Sequence, residues 1–155
     1  MFACRSLRLL GVEPDGLEDA AQEVFAIVLR RLPDFDAHAS IKTWIFAIVQ
    51  RVASNHRRSR RRKRDRLEPL GDSHVAAHAG PDAGAEAARV ARLIQAFAAE
   101  LDEPRRVALV LGVLERMPAR ELADALGVPL FTAYSRVRSV RQSLREFLDR
   151  HEVGQ

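Results

Sequence analysis

Cysteine is almost missing from this chain. Cys4 stands alone among 155 residues, which excludes an internal disulfide and a cysteine-rich zinc site and fits a reducing compartment. No apolar run reaches the length of a bilayer span, and the opening MFACRSLRLLGVEPDG lacks the long apolar core and small-residue cleavage site of a signal peptide. A cytoplasmic protein without stable membrane insertion is expected. Strand-like alternation is also lacking, as is a Gly-rich phosphate loop set with paired carboxylates, so neither a sheet nor an enzyme is expected. His74 and His78 are four apart, but no Glu follows the first and they lie among Gly, Pro and Ala. Neither a metal nor any other cofactor is expected from that context. Lysine is scarce as well: 23 of the 25 basic residues are Arg.

What is present is the composition of a folded protein, 47% apolar and 30% charged. The net charge is only +4, yet RRSRRRKRDR, from Arg57 to Arg66, carries +7 and leaves −3 for everything else. Basicity this local is the electrostatic footprint of a phosphate-bearing partner or an anionic surface.

Helical periodicity organises the rest. Asp15 and Glu18 resemble a capping pair, followed by Leu17, Ala20, Ala21, Val24, Ile27, Val28 and Leu32 at helical spacing until Pro33. After the loop PDFDAHAS, Ser40 can cap a helix whose apolar stripe is Ile41, Trp44, Ile45, Ile48, Val49 and Val52. Trp44 on that stripe reads as a core aromatic. The opposite face carries Thr43, Phe46, Gln50, Ser54 and Arg57, so the basic run is the end of this helix and Phe46 is free to meet a partner. LEPLGDSHVAAHAGPDAGA has no sustained period and reads as a flexible linker. Beyond it Val90, Leu93, Ile94, Phe97 and Leu101 begin a second helical set, RRVALVLGVLERM is apolar on nearly every side, and a long helix runs from Leu130 to about Leu148. The expectation is an all-α chain of two small helical domains, 1–66 and 87–155, joined by a flexible linker at 67–86. Domains of this size bury modest cores.

RELADALGVPLFTAYSRVRSVR has the layout of a helix-turn-helix. Ala123 lets two helices approach, Gly127 can take the left-handed conformation of the tight turn, and Pro129 suits the next helix start. Phe131, Thr132, Ser135, Arg138, Ser139 and Gln142 fall opposite the apolar stripe, with Tyr134, Arg136 and Arg141 on the flanks. Hydroxyls, an amide and guanidiniums so arranged suit base edges and phosphates.

The string LEDAAQEVFAIVLRRLPDFDAHASIKTWIFAIVQRVASNHRR resembles region 2 of bacterial sigma factors, especially the extracytoplasmic function (ECF) group of the sigma-70 family. The second domain resembles their region 4, and together the matches cover roughly residues 17–60 and 88–148. The order of Asp19, Gln22, Glu23 and Phe25, then Lys42, Thr43 and Trp44, then a linker and a helix-turn-helix carries the likeness. It implies a dissociable RNA polymerase subunit that recognises and melts promoters in transcription initiation. By the same resemblance Asp19, Gln22, Glu23 and Phe25 dock on the polymerase clamp helices. His38, Ser40, Lys42, Phe46, Gln50, Arg51, Ser54, Asn55, Arg57 and Arg58 face the minus-10 element, with Phe46 able to contact a base or polymerase. The second domain docks on the flap and presents Phe131, Thr132, Tyr134, Ser135, Arg136, Arg138, Ser139 and Arg141 to the minus-35 element. An anti-sigma factor covering the polymerase-binding surfaces is a further implied partner. The chain departs from the pattern at Ala47 and Arg51, where the family often has Arg and Asn, and at FTAYSR, where it has Gly-Thr-Val-Lys/Arg-Ser-Arg. The family's usual minus-35 sequence is therefore not carried over. The N-terminus is short against the resemblance, so the expectation is either a misassigned start codon or an absent part of the first helix, which would weaken the first domain's core.

Overall fold

A computed structural model describes residues 2–66 and 84–152, all helix, turn and loop. Nearly all of the stretch read as linker lies outside the described residues, with His74 and His78. The chain divides into two compact units, Met1–Gly84 and Ala85–Gln155.

The first unit contains α1 (Phe2–Leu9), α2 (Leu17–Arg31) and α3 (Ile41–Arg66), each packed on the other two. Helix α1 and the turn that follows it place Leu7, Leu9, Leu10 and Val12 in the core. Gly11, at φ 85°, turns the chain there, and Val12 N bonds back to Leu7 O at 3.0 Å. From α2 come Ala20 and Val24, and from α3 Phe46, Ile48, Val49, Val52 and Ala53.

Phe46 corrects the sequence reading. Its spacing predicts the outer face, yet it is only 2% exposed, with its ring centroid 6.2 Å from that of Phe2. The physical reason is that α1 gives α3 a second wall, widening its buried arc beyond a single stripe. At the other edge of that arc Ile41 is exposed and Trp44 is half-buried, its ring 5.4 Å from Phe35.

Capping follows the sequence at one helix and not at another. Ser40 Oγ accepts from Thr43 N at 3.2 Å and caps α3. The Asp15 and Glu18 pair does not form: a 3-10 turn, Pro14–Gly16, runs into α2 with no side-chain cap, and Asp15 turns to Arg60 instead.

The second unit contains α4 (Ala85–Glu100), α5 (Glu103–Val107), a π-helical turn (Ala108–Leu114), α6 (Ala119–Leu126) and α7 (Leu130–Glu152). Helix α4 begins inside the stretch read as linker. Its C-terminal carbonyls are held by one guanidinium, Arg106 donating to Ala98 O at 2.9 Å and Leu101 O at 2.6 Å. Asp102 caps α5 by accepting from Arg105 N at 2.9 Å. The apolar run from Val107 to Leu111 is buried, as its composition requires, against Ala133, Val140 and Phe147 of α7 and Leu122 of α6. Phe97 of α4 meets Phe147 with centroids 5.4 Å apart. At the α6–α7 turn Gly127 adopts φ 61° and Val128 N bonds to Ala123 O at 3.0 Å, the closure the spacing predicts.

Candidate functional site

The surface of α3 sorts the basic run into two arcs. Arg51, Asn55, Arg58 and Arg62 stand at i, i+4, i+7 and i+11, share the solvent face and are exposed, with Gln50 and Ser54 half-exposed beside them. Arg58 Nη2 donates to Asn55 Oδ1 at 2.9 Å, which aligns the pair and leaves the Asn55 amide donors facing out. Trp44 and Ala47 continue the strip toward the start of the helix.

The inner arc is already engaged. Arg57, expected among the outward cations, is half-buried and donates through Nη1 to Leu10 O at the end of α1. Its position on the wheel lies next to Phe46 and Ala53, hence over α1 rather than over solvent. Arg60 Nη1 lies 2.5 and 2.7 Å from the two carboxylate oxygens of Asp15, and His56 Nε2 lies 3.1 Å from Glu23 Oε2. The groove between α2 and the end of α3 mixes Asp15, Asp19 and Glu23 with His56, Arg60 and Lys63, so its acids and bases offset one another.

The loop before α3 is a local construction. His38 N donates to Asp36 Oδ1 at 3.2 Å across Ala37, which sits at φ 59°. That N–H, more than the nearby imidazole, holds the Asp36 carboxyl below its ordinary value. His38 and Ser40 are thereby exposed beside the ledge formed by Phe35 and Trp44. Lys42, also exposed, lies with Nζ 5.9 Å from the Phe2 ring centroid.

On α2, Asp19, Gln22 and Phe25 are exposed together, whereas Glu23 turns toward α3 and His56. Sequence reading missed what lies beside them. Phe25, Leu29 and Leu32 form an uncovered apolar stripe, 52%, 72% and 47% exposed. Leu32, at helical spacing with Val24 and Val28 in the sequence, is thus on the surface. The signal was available in the i, i+4, i+7 spacing from Phe25, a second apolar stripe beside the buried one of Ala20 and Val24.

In the second unit α7 presents Phe131, Tyr134, Ser135, Arg138, Ser139 and Arg141 as exposed side chains, while Thr132 and Arg136 are half-buried on the flank. Arg141 Nη2 approaches Gly112 O at 3.4 Å. Ala133, Val140 and Phe147 occupy the opposite, buried face. The first two turns of the second helix of the helix-turn-helix therefore expose aromatic and hydroxyl groups on one side, with the Arg138 guanidinium following in the third turn. The described residues contain no cluster of three or more potential metal ligands and no helix long and apolar enough to cross a membrane.

Comparison with known proteins gives these surfaces a context. The family model for sigma-70 region 2 matches residues 5–63. The chain is 31% identical over 147 residues to the ECF RNA polymerase sigma factor SigE of Mycolicibacterium smegmatis, covering 93% of this chain and 56% of that one. It is 33% identical over 138 residues to the ECF RNA polymerase sigma factor RpoE of Cereibacter sphaeroides, covering 84% and 71%. Among solved structures, the sigma factor RpoE in complex with the anti-sigma factor NepR from Bartonella quintana aligns with a TM-score of 0.74 at 22% identity, covering 95% of this chain and 90% of that one. CnrH in complex with the cytosolic domain of CnrY aligns with a TM-score of 0.64 at 23% identity, covering 96% and 80%.

Proposed function

The chain belongs to the ECF RNA polymerase sigma factors of the sigma-70 family, and we propose that it is a dissociable polymerase subunit that recognises and melts promoters. The outward arc of α3 supports this reading most directly. A strip of exposed Arg and amide groups leads along one helix to a half-buried tryptophan beside an exposed polar loop.

Each part of that strip suits one stage of promoter opening. Arg51, Arg58 and Arg62 follow the duplex backbone, where replacing condensed counterions makes binding favourable and salt-sensitive. A base leaving the stack costs a few kcal/mol, which a protein offsets by holding it against a ring and satisfying its polar edge. The Phe35 and Trp44 ledge supplies the ring and His38 and Ser40 the polar groups, while Asn55, about three turns further along α3, belongs with Arg51 and Arg58 on the strip that follows the backbone. Helix α7 enters the major groove of the minus-35 element in the manner of helix-turn-helix proteins. On the far side of the first unit, Asp19 and Gln22 with the stripe of Phe25, Leu29 and Leu32 form the docking face for the polymerase clamp. An anti-sigma factor that covers this stripe competes with polymerase for the same apolar area. The second unit docks on the flap. Bond making remains with the core enzyme; this chain positions DNA in the cytoplasm and uses no cofactor.

Purified chain added to core RNA polymerase on genomic DNA fragments tests the proposal, with transcript 5′ ends mapped. Discrete start sites absent with core alone are expected. A chain that binds core but yields no new start sites is an interaction protein, and the initiation reading then fails.

A further inference from the structure

Helix α7 opens on two large side chains that the fold does not use. Phe131 is 82% exposed and Tyr134 60% exposed, one turn apart, while the core of the second unit is filled from the other face by Ala133, Val140 and Phe147. They share their face with Ser135 and Arg138, both exposed, and Arg141 stands at its edge. Turn geometry puts them at the leading end of the second helix: Gly127 at φ 61° fixes the angle, and Pro129 O accepts from Thr132 N at 2.9 Å and Ala133 N at 3.1 Å. In a helix-turn-helix the N-terminal residues of that helix reach furthest into the major groove.

An aromatic ring delivered there meets base edges made of hydrogen-bond donors and acceptors, with one apolar exception, the C5 methyl of thymine. Arg138 and Arg141 on the same surface supply charge complementary to the phosphates lining the groove, which favours duplex DNA over an apolar protein groove as the occupant. We propose that Phe131 and Tyr134 read thymine methyl groups in the upstream promoter duplex and so set the sequence preference of this chain. The proposal rests on the promoter-binding reading and deepens it. Phe131 covers a methyl by contact alone; Tyr134 adds a phenolic hydroxyl that can donate to, or accept from, the adjacent base edge.

The test removes only the methyl group. Holoenzyme assembled from the full chain and core polymerase selects binders from a pool of random-sequence duplexes. Each thymine in the upstream half of the selected duplex is then replaced singly by deoxyuridine. Holoenzyme with the unaltered chain is expected to lose about fourfold in affinity at one or two of these positions, the equivalent of one buried methyl group. With Phe131→Ala or Tyr134→Ala the penalty at one of those positions disappears, and Phe131→Leu retains it because an apolar contact remains. Both aromatics lie outside the core, so these variants keep the fold, and their helical circular dichroism is expected to match that of the parent chain. Deoxyuridine tolerated at every position overturns the proposal, as does a Phe131→Ala variant that weakens all duplexes equally or that loses core polymerase instead. Should the holoenzyme enrich no duplex at all, the promoter-binding reading falls first and the aromatic reading falls with it.

Discussion

A run of like charges is not one object, because each residue in it has its own address on the helix. Arg57 spends its guanidinium on the carbonyl of Leu10, and Arg60 on Asp15, whereas Arg58 and Arg62 face outward. Replacing Arg57 by Met is expected to cost about 1.5–3 kcal/mol, the usual range for a hydrogen bond to a charged group, seen as a lower urea midpoint. Breaking the exposed Arg60–Asp15 pair should cost under about 1 kcal/mol in the same measurement. For DNA binding the order reverses. Arg58→Gln and Arg62→Gln should each reduce the slope of log affinity against log salt by about 0.9, while a folded Arg57 variant leaves the slope unchanged. Titrating promoter binding over a salt series separates the two arcs. Phe46 follows the same logic: Phe46→Ala should destabilise the first unit by about 3–5 kcal/mol in denaturant unfolding. A stable Phe46→Ala protein with a specific melting defect would instead restore the base-contact reading. Arg57 and Phe46 both turn inward from the face their spacing suggests, because a wheel drawn from one helix shows its own period and not how many neighbours surround it.

At the level of elements, what depends on near neighbours in sequence was legible and what depends on distant ones was not. The Ser40 cap, the left-handed Gly127 and the buried run after Arg106 all follow from residues within a few positions. Gly112 does not. A Cβ placed on it would lie 2.5 Å from Val137 Cγ2 and 3.0 Å from Leu122 Cδ2, so the π-helical turn approaches α6 and α7 only because this residue has no side chain. Nothing in GVLER announces that contact. Gly112→Ala is expected to destabilise the second unit by about 1–3 kcal/mol through overpacking, measured by thermal or urea unfolding. Combining it with Val137→Ala should recover part of the loss, since the two changes share one contact. Full additivity of the two would show that the strain lies elsewhere. The closure of α4 by Arg106 was not legible although its acceptors, Ala98 O and Leu101 O, are only eight and five residues away, because the chain must first turn at Asp102 to bring the guanidinium back over them.

For the whole molecule, the order of motifs was legible because each sits on a helix with a strong period, and that order carries the resemblance that the 33% identical relative bears out. The division of labour is written in the charge. Residues 1–66 hold fourteen basic and eight acidic residues, a net of +6, while 85–155 hold eleven and ten, a net of +1. The second unit thus brings directional groups on α7 but little general attraction to DNA, and alone it should bind weakly. On the proposed reading its affinity is borrowed through the connection to the first unit. Two weak sites joined by a chain act at an effective concentration near the millimolar range, which strengthens the pair by about 10²–10⁴ over its parts. A protease site inserted between residues 67 and 83 tests this. Before cutting, the inserted chain should initiate normally with core polymerase. After cutting, helical content and unfolding midpoints should stay as they were, and initiation at nanomolar protein should fall steeply. Adding the freed second unit at several hundred micromolar should bring it back, because mass action then replaces the tether. Unchanged initiation at nanomolar concentration after complete cleavage would mean that each unit binds its own surface strongly enough to need no partner. The near-neutral charge of residues 85–155 argues against that outcome.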